Sequence, residues 1–73
     1  MKPYDIEVGT GGLSVTYKVS FEQDGKYVIM LGEEKIAVIF PEVLDNGVVW
    51  YAEEEIDNLL LNEIGKAIEA EEM

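Results

Sequence analysis

The chain contains no histidine, no cysteine and no arginine. Without histidine it lacks the side chain that most often exchanges protons near neutral pH and most often ligates a metal. Without cysteine there can be no disulfide and no thiolate metal site, and no such staple can substitute for a core. All five basic residues are lysines, so no guanidinium fork is available for a phosphate or carboxylate. Apolar runs approaching the roughly 20 residues needed to span a bilayer are missing too, and Met1–Asp5 lacks the apolar run of a secretion signal. These absences predict a soluble, cytoplasmic, cofactor-free protein with no membrane association.

Sixteen acidic residues against five lysines give a net charge of −11. The excess is lopsided: residues 1–32 carry a net −1 and residues 33–73 a net −10. Such a field repels nucleic acid and anionic lipid and attracts basic surfaces. The apolar fraction of 48% is that of a folded chain, and 73 residues make one domain near the lower limit for a self-sufficient core.

Leu13, Val15, Tyr17, Val19 and Phe21 alternate with polar residues, the strongest local signal present, and predict a strand over about 13–23. Tyr4, Ile6 and Val8 predict a shorter strand at about 3–8, joined to it through Gly9-Thr10-Gly11-Gly12. Asp24-Gly25 favours a two-residue type I′ turn into a strand at 26–31. A fourth strand is expected at 35–40, ended by Pro41, and a fifth at 48–51 after Asn46-Gly47, with Val43-Leu44 either its partner or a loop. From Ala52 the period becomes helical, predicting a helix over about 52–70. Its apolar stripe is Ile56, Leu59, Leu60, Ile64, Ala67 and Ile68, with Leu61 at the margin. No capping residue stands at the expected start, and Glu53, Glu54 and Glu55 fill the first turn. Gly65 interrupts the helix at a cost of about 1 kcal/mol relative to alanine. The fold class is α+β: an antiparallel meander of four to five strands with one C-terminal amphipathic helix.

The third to fifth strands are apolar on both faces, and one helix covers one face. A second copy, or the first hairpin curling over, is expected to cover the remainder, which predicts a homo-oligomer.

No motif carries chemistry. The glycine cluster lacks the lysine and spacing of a phosphate loop, and it precedes a strand. Asp45-Asn46-Gly47 lacks the alternating carboxylates of a calcium loop. Glu53, Glu54, Glu55 and Asp57 could in principle hold a cation, but neighbouring helical residues diverge. No nucleophile has a recognisable base, so an enzyme is not expected. Trp50 and Tyr51, beside these glutamates, are the aromatic candidates for an interface, the alternative being that one packs in the core and the other shields the helix end. Glu69, Glu71 and Glu72 crowd a helix C-terminus, where the dipole disfavours anions by about 0.3–1 kcal/mol each, and that opposition to local stability suggests a use. The expected function is a small non-enzymatic interaction module that binds or inhibits a basic protein partner. Imitation of nucleic-acid phosphates would be its sharpest form, and its composition suits accessory proteins of phages or mobile elements. Trp50, Tyr51, Glu53, Glu54, Glu55, Glu69, Glu71 and Glu72 would meet the partner. The alternative is a self-associating assembly subunit that uses its apolar sheet face.

Overall fold

The computed structural model describes residues 2–10 and 12–72 of the chain. Five strands, β1 (Tyr4–Thr10), β2 (Leu13–Glu22), β3 (Lys26–Leu31), β4 (Glu34–Leu44) and β5 (Gly47–Ala52), precede one helix, α1 (Asn58–Glu72). They form a single antiparallel sheet in the order β1-β2-β3-β4-β5, so every connection is a hairpin and β1 and β5 are the two edges. This is the expected α+β meander.

Period two sorts the strands cleanly once register is fixed. Ile6 and Val8, Tyr17 and Val19, Tyr27 and Ile29, Ala37 and Ile39, and Trp50 face α1 and form the core with its Leu61, Ile64 and Ile68. Within β4 a bulge changes the phase: Ile29 pairs with Ala37 but Met30 with Lys35, leaving Ile36 as the extra residue. Ile36 thereby packs toward the core while Val38 and Phe40 stay on the outer face, which is why this strand does not alternate in sequence.

Pro41 does not end β4. The strand continues to Leu44 and pairs along β5, with Pro41 opposite Trp50. The last β3–β4 pair is Tyr27↔Ile39, so Pro41 lies where β4 has a neighbour on one side, and its missing N–H points to the empty side. Val43 and Leu44 therefore belong to a strand, opposite Val48 and Gly47. The β2–β3 turn also differs from expectation. Glu22 pairs with Lys26, so three residues connect the strands, although Asp24 (φ 69) and Gly25 (φ 75) keep the positive φ of a type I′ turn. Thr10↔Leu13 closes the first ladder, and Gly12 beyond it has φ 82. Gly11, also assigned to that turn from sequence, lies outside the described residues.

The helix starts six residues later than its period suggests. Asp57 is its cap: its Oδ1 accepts the N–H groups of Leu59 (2.8 Å) and Leu60 (3.3 Å), and its carbonyl takes the first helical bond from Leu61 at 2.9 Å. Glu53, Glu54 and Glu55 thus precede the helix and do not fill its first turn. With that start the buried stripe is Leu61, Ile64, Gly65 and Ile68. Leu61 is core, whereas Leu59, expected inside, is 65% exposed.

Candidate functional site

Trp50 and Tyr51 are neighbours on β5 and therefore face opposite sides of the sheet. Trp50 is buried against α1, while Tyr51 is 42% exposed on the outer face and stacks on Phe40 at 5.7 Å between centroids. The indole lies over Gly65, where a Cβ would come 2.3 Å from Cδ1 of the ring. The glycine that looks like a flaw in the helix is the space that Trp50 occupies.

One turn beyond Gly65, Glu69 accepts the indole Nε1–H at 2.8 Å. Three residues further, Glu72 accepts the hydroxyls of Tyr4 (2.7 Å) and Tyr27 (3.0 Å). Burial raises both tyrosine pKa values, and the bond to the Glu72 carboxylate raises them further, because an ionised phenol there would face an anion. Phe21, Tyr27 and Trp50 form an edge-to-face row beneath these bonds, at 5.3 and 5.6 Å between centroids. Two of the three glutamates that oppose the helix dipole are therefore fixed by neutral donors from β1, β3 and β5. Glu71 is exposed.

The glutamates after β5 have separate tasks. Glu53 pairs with Lys26, whose pKa is raised by that hydrogen bond. This bridge joins the start of β3 to the residue that follows β5, on the outer face of the sheet, where Val38 of β4 is 6% exposed. Where β5 ends, the Glu53 N–H bonds the Val38 carbonyl and the Glu54 carboxylate accepts the Val38 N–H, both at 2.9 Å, extending the ladder by one pair. Glu55 is exposed. Among the described residues no three carboxylates converge as a metal site would require.

A groove of about 100 Å³ opens at the C-terminal end of α1, floored by Tyr27, Pro41, Trp50 and Ile68, walled by Val43 and Val48, with Glu69 and Glu72 at its rim. Val43 is 79% exposed. The structure thus brings Trp50, Glu69 and Glu72 together at one end of β5, and Glu54 and Glu55 lie around the other end. Tyr51 and Glu53 are on the opposite face. Tyr4, Tyr27 and Gly65 were not singled out from sequence as site residues. No local spacing links them to the site, since Tyr4 and Tyr27 lie 68 and 45 residues from Glu72. Comparison with protein families, curated proteins and solved structures finds no match to this chain. No helix among the described residues is long and apolar enough to cross a membrane.

Proposed function

We propose that the chain is a small docking module that binds a basic protein surface and performs no chemistry of its own. The observation behind this reading is the pair Glu69 and Glu72. Both are held in place by Trp50, Tyr4 and Tyr27, and neither is neutralised, since the one ion pair among the described residues is Lys26–Glu53. A carboxylate has about four lone-pair sites, and neutral donors leave its charge intact. An apolar groove beside two such anions suits a lysine or arginine side chain, with its stem on Val43 and Val48 and its cation at the rim. Inhibition would follow if the occupied surface were one that its owner uses for nucleic acid.

Trp50 is the single tryptophan, so its emission reports on this groove. Titration with lysine-rich peptides should shift that emission, with affinity falling as salt rises, and Glu69→Gln with Glu72→Gln should weaken it. Equal binding of a glutamate-rich control, or indifference to salt, would reject the reading. A second reading, self-association, draws on the outer face, where Leu44, Val49 and Tyr51 are each about two-fifths exposed beside Phe40. Salt-tolerant dimers in light scattering would favour it.

A further inference from the structure

We infer that the basic partner is captured as an added β-strand: an extended, lysine- or arginine-bearing segment that pairs with the free edge of β5. This rests on the docking reading above and specifies how the partner is held.

The edge is open. In an antiparallel ladder, hydrogen-bonded and non-bonded pairs alternate. The Glu53 N–H bond to Val38 fixes the phase, making Phe40↔Tyr51, Glu42↔Val49 and Leu44↔Gly47 the bonded pairs. Proline's lack of an N–H at Pro41↔Trp50 agrees. Val48, Trp50 and Ala52 therefore direct their N–H and C=O groups away from β4. No backbone partner takes them among the described residues.

The edge is also undefended. Proteins blunt exposed edges with charge, proline or bulges. The opposite edge, β1, carries Asp5 and Glu7. β5 reads Gly-Val-Val-Trp-Tyr-Ala, six residues with no charge and no proline. Space lies beside it: between β5 and α1 runs a depression lined by Val48, Trp50 and the exposed Leu59, where side chains of an added strand would settle.

The surrounding charge selects the occupant. Glu63 and Glu69 flank that depression against Lys66, and Glu54 and Glu55 flank the next one along β5. A second copy fits poorly, because antiparallel pairing of two β5 edges sets Asp45 of one against Glu53–Glu55 of the other, in chains that each carry −11. A basic strand gains from the same carboxylates. Strand addition takes affinity from main-chain bonds and specificity from alternate side chains.

The test uses a peptide of about eight residues alternating lysine and valine, the length of an ordinary strand. A control has the same sequence, N-methylated at every residue so that both edges lose their donors while the charge is kept. Added peptide should slow amide exchange at Val48, Trp50 and Ala52 at least roughly ten-fold, and N-methylation should weaken binding by about as much. Ala52→Pro, which removes one edge donor, should weaken the parent peptide more than the control. Equal binding of both peptides would overturn strand addition while leaving the docking of basic segments standing. Binding of neither would reject both. Exchange protection of β5 in the protein alone, rising with its concentration alongside a dimeric mass, would give the edge to a second copy and overturn the proposal.

Discussion

Gly65 shows how far a residue's local cost can depart from its value in the fold. Alanine there would improve helix propensity by about 1 kcal/mol. Its Cβ would meet the Trp50 ring at 2.3–2.6 Å, a clash with a rigid aromatic that is itself buried and bonded to Glu69. Overpacking of this kind costs about 1–3 kcal/mol, so the net effect of Gly65→Ala is destabilising. Denaturant titration should show a lower midpoint at unchanged slope, and a midpoint that holds or rises would mean the indole can slide aside. Glu69→Ala probes the same contact from the other side. It strands the Nε1–H, a loss of about 1 kcal/mol or more, and should move Trp50 emission even without a partner.

At the scale of the element, the helix is defined by its cap and not by the onset of its apolar period. Asp57→Ala leaves two amides of the first turn unbonded and should cost about 0.5–2 kcal/mol, visible as lower stability. Glu55→Ala, at an exposed site before the cap, should leave both stability and helix content unchanged. If Glu55→Ala proves the more damaging, the helix begins earlier than residue 58. The sequence placed the glutamates in the first turn because Ile56 falls in phase with Leu60 and Ile64. Ile56 packs on the same core from an extended segment. Spacing cannot separate these cases, since burial and helicity leave the same mark over one turn.

Across the whole molecule, the Tyr4–Glu72–Tyr27 clamp ties the last turn of α1 to β1 and β3. Both phenols have folded-state pKa values above the ordinary 10, raised by burial first and by Glu72 second. The stability they contribute is fully present below about pH 10, the unfolded tyrosine value, and is lost as pH rises from there through the folded values. Stability should therefore fall as pH rises above about 10. Tyr4→Phe and Tyr27→Phe should flatten that fall at some cost in stability at neutral pH. An unaltered alkaline slope in the double variant would place the loss elsewhere. At the same scale, a chain of net charge −11 with five scattered lysines gains nothing by displacing counterions from phosphates. No binding to duplex or single-stranded DNA is expected at about 0.15 M salt, and gel shift or anisotropy checks it.

What the sequence determined by itself is near-neighbour physics: five strand patterns, the turns at Gly12 and Asp24-Gly25, one amphipathic helix and the sign of the charge. Alternation and glycine conformation act over a few residues and can be read without knowing what lies across the core. Tertiary structure decided everything that depends on register between distant segments. Period two put Trp50 and Tyr51 on opposite faces, but pairing with β4 and the seat at Gly65 chose which went inside. Glu54, Glu69 and Glu72 looked alike as solvated acids until the sheet brought Val38, Trp50, Tyr4 and Tyr27 to them, across separations of 16 to 68 residues. A carboxylate has no preferred partner within its own turn of helix. Its role is set by the donors that the folded sheet delivers.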